Sequence, residues 1–241
     1  LAVAADCPPS ASLGPLVRRT GGGKIRVGYY SPDFHDTAVA RQVAELLDRH
    51  DRGQFEWLAF AYGPIPHDDA VRARLRKSFD QFHDLRDSSD HEVARKSREM
   101  GIDIAVDLSG FGPGGRLGMF AHRCAPVQIS YLGYPGSTGA DYMDYVIADK
   151  VALPPAAHAQ FSEKVVTLPH SHQLGGHPHA PADRVWTREE ADLPAEGFVF
   201  CCFSPAYRIL PSVFDSWLRM LQAAPGSILW LLEDNPAATR H

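Results

Sequence analysis

From Lys24 to about Leu168, short runs rich in β-branched and aromatic residues alternate with amphipathic stretches of helical period, and no other feature of the chain restricts its fold as much. Strands are expected at 25–30, 55–62, 82–85, 102–108, 127–132, 145–148 and 163–168. Helices are expected at 39–50, 68–79, 89–100 and 116–122. Strands separated by helices of this length imply βαβ crossovers, a mostly parallel sheet and helices on both faces. The fold class is therefore α/β, with a Rossmann-like parallel sheet. Ligands of such sheets collect outside the carboxyl ends of the strands. Three strands end in segments suited to that position: 31–37, 109–115 and 133–139, expected on one sheet edge.

Residues 1–23, rich in Ala, Pro, Ser and Gly, read as a linker. The first domain spans 24–170, and a polar His-, Pro- and Gly-rich connector follows over 171–196. At 198–203, 211–223 and 227–232 the strand-helix-strand pattern restarts, so 197–241 reads as the start of a second Rossmann-like domain. A single βαβ unit cannot bury both faces of its sheet, so this fragment should expose an apolar face or have it covered by a partner. A first residue that is not Met points to a piece of a longer chain.

The 24 basic and 29 acidic residues leave a net charge of −5 with no block of like sign, which argues against nucleic acid or an anionic membrane as partner. No run approaches the roughly 20 apolar residues of a membrane span, and no basic segment precedes the apolar start, so a cytoplasmic location is expected. Cys7, Cys124, Cys201 and Cys202 have no CxxC spacing and give neither a disulfide framework nor a thiolate zinc site. His170, His172, His177 and His179 form two HxH pairs, but without a framing element they read as a polar loop rather than a zinc site.

The turn with Gly110, Gly112, Gly114 and Gly115 lies between a strand and a helix, where backbone N–H groups can hold an oxyanion, although its spacing is not GxGxxG. Neither GxSxG nor HExxH occurs. Asp36 fits a helix N-cap, which leaves Asp33 as the better site residue.

Taken in order, several segments resemble the catalytic region of protein O-GlcNAc transferases and SPINDLY-type O-fucosyltransferases. They are Lys24-Ile25-Arg26-Val27-Gly28-Tyr29 with Ser31-Pro32-Asp33-Phe34, Asp107-Leu108-Ser109-Gly110, Phe120-Ala121-His122-Arg123-Cys124-Ala125-Pro126, Leu132-Gly133-Tyr134-Pro135-Gly136, Met143-Asp144-Tyr145, Phe161-Ser162-Glu163 and Phe200-Cys201-Cys202-Phe203. The resemblance implies the two-Rossmann-domain GT-B architecture, of which this chain is the N-terminal half. It further implies inverting transfer of a sugar from UDP-GlcNAc or GDP-fucose to a protein Ser or Thr hydroxyl, with the nucleotide sugar as substrate and no cofactor. The implied partners are that donor, the protein acceptor and a TPR or other upstream segment.

By the same resemblance Asp33, Thr37 and Arg208 take the catalytic positions. His35, Gly110, Phe111, Gly114, Leu132, Gly133, Tyr134, Pro135, Gly136 and His170 shape the sugar and acceptor cleft. The sequence departs from the family pattern at three places. Thr37 stands where SPDFxxHxV has histidine, Phe111 stands in a loop usually written GHT, and Ser204-Pro205-Ala206-Tyr207-Arg208-Ile209 replaces the lysine-bearing NNxxKI that follows the family's Phe. An alternative reading follows from these losses: a non-catalytic binding or scaffold descendant of the same fold.

Overall fold

In the computed structural model, which describes residues 7–17, 19, 21–174, 183–233, 236 and 240, seven strands pair in parallel. They are β1 (Ile25–Ser31), β2 (Phe55–Ala61), β3 (Gln81–Asp84), β4 (Ile104–Asp107), β5 (Val127–Ser130), β6 (Tyr145–Asp149) and β7 (Lys164–Leu168). Their order is β3-β2-β1-β4-β5-β6-β7. The chain builds outward from β1 to β3, then returns to lay β4 against the free side of β1, with Val27 beside Ile104 and Tyr30 beside Asp107. The strand order therefore reverses between β1 and β4, the point where open α/β sheets hold ligands.

Side chains of successive strand residues leave on opposite faces, and both faces of the central strands are apolar. Val27 and Tyr29 of β1 with Trp57 and Ala59 of β2 pack on Val43, Ala44 and Leu47 of α1 (Ala38–Asp48) and Leu75 of α2 (Ala70–Ser78). On the other face Tyr30, Leu58 and Phe60 meet Val93 and Ala94 of α3 (Asp90–Glu99) and Met119 and Phe120 of α4 (Gly118–Ala121). The Tyr30 and Phe60 rings stack at 4.4 Å across Gly28, where a Cβ would stand 3.0 Å from the Tyr30 ring. Helix α1 buries Ala40, Val43, Ala44 and Leu47, the i, i+3, i+4, i+7 stripe that docks it. In α3 the Ser89 hydroxyl and the Glu92 carboxylate form a reciprocal capping box, and Gly101 at φ +63° ends the helix.

The helix expected over 116–122 is one turn only. Arg116 is held away from it by Asp90, at 2.6 Å, and by the Ser88 carbonyl, at 2.8 Å. The 3-10 turns at Pro155–Gln160 and Ala206–Arg208 carry no periodicity in the sequence.

Within the stretch read as a linker, residues 7–17 lie against the α3–α4 face. The Ser10 N–H donates to the Ala121 carbonyl at 2.9 Å, and Ser12 Oγ bonds His122 Nδ1 at 3.0 Å. Cys7 and Leu13 pack on the core. Arg98 of α3 clamps the strap by donating to the Leu13 and Gly14 carbonyls, at 3.1 and 2.9 Å, and to the carbonyls of His122 and Arg123. Charge-assisted hydrogen bonds of this kind are worth roughly 1.5–3 kcal/mol. Arg98→Ala should therefore lower stability by about that amount and speed proteolytic cleavage before Lys24. Thermal unfolding and limited proteolysis measure the two effects.

The chain divides into two compact units, Leu1–His179 and Ala180–His241. The second holds β8 (Val199–Cys202), α5 (Pro211–Ala223) and β9 (Ile228–Leu231), a single parallel βαβ with Val199 beside Ile228. Phe198 is 64% exposed and Leu210 60%, so its apolar surface is open. Cys124, Cys201 and Cys202 are free thiols. No helix among the described residues is long and apolar enough to cross a membrane.

Candidate active site

Because all seven strands run parallel, the segments that follow β1, β2, β4 and β5 leave on one sheet edge, and glycines let them touch. A Cβ on Gly63 would sit 1.7 Å from the Pro32 carbonyl oxygen, and one on Gly133 would sit 1.9 Å from that of Leu108. Gly110, in the left-handed region at φ +49°, would place a Cβ 2.6 Å from Tyr134, and Gly114 meets the Pro32 ring. Phe111 stands edge-on to Tyr134 at 5.4 Å and is half exposed. Asp33, Gly110, Phe111, Gly114, Gly133, Tyr134, Pro135 and Gly136 are thus gathered around the β1/β4 reversal. Leu132 introduces the turn with φ +71°.

The connection after β5 does not stay on that edge throughout. Ser137 and Thr138 are bound by the buried Glu163 carboxylate, which accepts from Ser137 Oγ and the Thr138 N–H, each at 2.7 Å, and from Thr138 Oγ1. Glu163 stands at the amino end of β7. The expectation that all of 133–139 shares the carboxyl edge therefore fails for 137–139, because the chain must return to the start of β6. Burial opposes the charge of Glu163, but the hydrogen bonds from Ser137 and Thr138 outweigh it and keep its carboxyl below the usual range.

Thr37, not Asp36, is the N-cap of α1. Its Oγ1 accepts the Ala40 N–H at 3.1 Å and donates to the Asp33 carbonyl at 3.0 Å. Asp36 is diverted into an exposed pair with Arg41, at 2.7 Å, and its N–H donates to Asp69 at 2.7 Å. Half-burial raises the Asp33 carboxyl above the ordinary carboxylate range, while nearby His35 pulls the other way. His35 Nδ1 is buried with no hydrogen-bond partner among the described residues.

In the glycine-rich turn much of the hydrogen-bonding capacity is spent internally. The fully buried Asp107 carboxylate accepts the N–H groups of Ser109 and Gly110 at 3.0 and 2.9 Å, while Gly112 donates to Ser109 and Gly115 to Gly112. Burial pushes the Asp107 carboxyl up to about 6 against those two bonds. The turn shapes a wall and leaves few N–H groups for an oxyanion.

After β7 the chain folds back along the edge. His170 is exposed, but His172 is tied down: its N–H and its Nδ1 reach Asp149 Oδ2 at 2.8 and 2.5 Å, and Tyr131 Oη donates to its carbonyl at 2.8 Å. Leu174 closes a groove of about 420 Å³ with Thr37, Arg41 and Gln42 of α1. His177 and His179 lie outside the described residues. Among the described residues no cluster of three or more His, Cys, Asp or Glu could hold a metal ion. Arg208 belongs to the second unit, where its guanidinium lies 5.5 Å from the centre of the Tyr207 ring.

The family described as glycosyl transferase family 41 matches residues 15–185 and 179–240. The probable UDP-N-acetylglucosamine-peptide N-acetylglucosaminyltransferase SEC of Arabidopsis thaliana is 32% identical over 93% of this chain, which covers 24% of that protein. The corresponding SPINDLY protein of Petunia hybrida is 32% identical over 86% of the chain, which covers 22% of it. An O-GlcNAc transferase mutant from Thermobaculum terrenum superposes with a TM-score of 0.77 at 31% identity, over 90% of this chain and 41% of that one. The chain thus spans about a quarter of the length of these curated relatives. With the family matched along both of its units, this chain belongs to glycosyl transferase family 41.

Proposed function

We propose that the chain is the acceptor-side domain and the beginning of the donor-side domain of an inverting protein glycosyltransferase, which moves a sugar from a nucleotide sugar to Ser or Thr hydroxyls. The convergence of the β1, β4 and β5 loops at the strand-order reversal carries this reading. Within it, 24–170 is the first domain, 171–196 the connector and 197–241 the opening of the second. The Phe111–Tyr134 pair and Gly133–Gly136 backbone form a cleft wall, Asp33 offers a carboxyl partly withdrawn from water, and Arg208 steadies the donor diphosphate as a charge. Catalysis of this kind is mainly orientation and stabilisation of charge on the leaving phosphates.

Thr37 supports a second reading, a non-catalytic descendant, because its hydroxyl is fully engaged as a helix cap and Phe111 offers no proton-transfer group. Loss of positioned acid–base groups lowers rates by about 10²–10⁴. The chain alone is expected to transfer no sugar from radiolabelled UDP-GlcNAc or GDP-fucose to Ser/Thr-rich peptides. Substituted for the matching segment of the Thermobaculum terrenum enzyme, it is expected to support transfer. Failure of such a chimaera with an intact fold favours the non-catalytic reading. Turnover by the chain alone, lost in Arg208→Ala and kept in Thr37→Ala, would show instead that this chain holds the donor without the rest of the enzyme.

A further inference from the structure

The Asp149–His172 pair is not explained by the strap it fastens. Asp149 Oδ1 accepts the N–H groups of Val151 and Ala152, each at 2.9 Å, and fixes the carboxylate at the carboxyl end of β6. Oδ2 takes both the backbone N–H and the Nδ1 of His172. These bonds hold Asp149 well below the usual carboxylate range, with the Ala152 and His172 N–H groups first among the causes. An ionised carboxylate only accepts, so Nδ1 carries a proton, and in the neutral ring the lone pair is then on Nε2.

That nitrogen makes no hydrogen bond among the described residues, and it is absent from the buried unpartnered atoms, which include nitrogens of His35, His50 and His83. The His172 side chain is 18% exposed. Backbone anchors on both sides fix the ring: Tyr131 Oη on its own carbonyl and Gln42 Oε1 on the Leu174 N–H, at 3.2 Å. A hydroxyl-seeking imidazole, oriented by a carboxylate through its other nitrogen, is the geometry that serves proton acceptance from an alcohol. A fastening role needs only Nδ1.

We propose that His172 is the acceptor-hydroxyl residue of this edge: Nε2 receives the hydrogen bond of a substrate Ser or Thr hydroxyl, with Asp149 as its positioning residue. The inference rests on the glycosyltransferase reading for the identity of the ligand. In the transfer step the hydroxyl oxygen forms its bond to the sugar C1, the bond from C1 to the diphosphate oxygen breaks, and the hydroxyl proton passes to Nε2.

The test needs no turnover and uses the 241-residue chain. Ring-nitrogen NMR reports the tautomer, and carbethoxylation by diethyl pyrocarbonate, read by peptide mass, reports access to Nε2. Both are run with a Ser-containing peptide, its Ala counterpart and UDP as separate arms. The expected result is a protonated Nδ1 with a free, modifiable Nε2, protected by the Ser peptide and not by the Ala peptide. Asp149→Asn should mix the tautomers and weaken that protection. His172→Asn keeps a donor toward Asp149, so it should retain the strap and bind the Ser and Ala peptides equally. A wild-type ring protonated at Nε2, or equal protection by the two peptides, or none, overturns the proposal. Absence of sugar transfer from a folded chimaera leaves these readouts intact, so failure of the transferase reading is seen separately.

Discussion

Gly133→Ala is expected to cost the first unit about 3 kcal/mol or more, the upper end of what overpacking a filled site costs. The added methyl would lie 1.9 Å from the Leu108 carbonyl oxygen, and the obstacle is backbone, so no rotamer change relieves it. Leu108 is itself fixed, because its N–H donates to the Tyr30 carbonyl at 3.0 Å at the mouth of the sheet. The segment carrying Tyr134 must move instead and separate from Gly110 and Phe111. For a unit of this size the loss corresponds to roughly 6–12 °C in Tm. Gly22→Ala, where nothing lies within 4 Å, is the control and should change stability by no more than about 0.5 kcal/mol. Equal melting of the two variants would mean that the loops are not in contact.

The second large effect is a pH dependence. Asp107 ionises near 3.8 when unfolded and near 6 when folded, so the folded state holds this proton more tightly. Asp107 therefore favours folding most below about pH 4, and its contribution is lost as pH rises through 6. The full span amounts to about 3 kcal/mol. Asn at this position cannot titrate, and one of its two polar atoms would face the Ser109 or Gly110 N–H as a donor, a penalty that does not vary with pH. The stability difference between wild type and Asp107→Asn should thus shift by about 2.5 kcal/mol in favour of the variant between pH 4 and pH 8. Denaturant unfolding at a series of pH values measures it, and a constant difference would show that burial leaves this carboxyl untouched.

The sequence made plain what local chemistry decides. The alternation of strand and helix required a parallel sheet, and the helix expected from residue 89 starts there, its capping box complete within four residues. Local preference put Asp36 ahead of Thr37 as the N-cap, but Arg41 and Asp69 draw Asp36 away and leave the cap to Thr37. Glu163 was visible only as part of a motif. Its hold on Ser137 and Thr138 spans 26 and 25 residues and exists only once β5, β6 and β7 are side by side. The same holds for Asp149 and His172, which parallel pairing of β6 and β7 brings to one edge across 23 residues. His170 stands in the motif and is exposed, whereas His172 is the histidine that Asp149 ties to the sheet edge.

The strap formed by residues 7–17 also bears on the order in which the molecule assembles. Its bond from Ser12 to His122 closes a separation of 110 residues, and the entropy of closing a loop grows with its length. During synthesis the strap leaves the ribosome before α3 and α4, yet its docking surface does not exist until they have followed. At about 5–20 residues per second that interval is roughly 5–20 s. Throughout it Cys7 and Leu13 have no core to cover them, and a segment made ahead of β1 reaches its place only after α4.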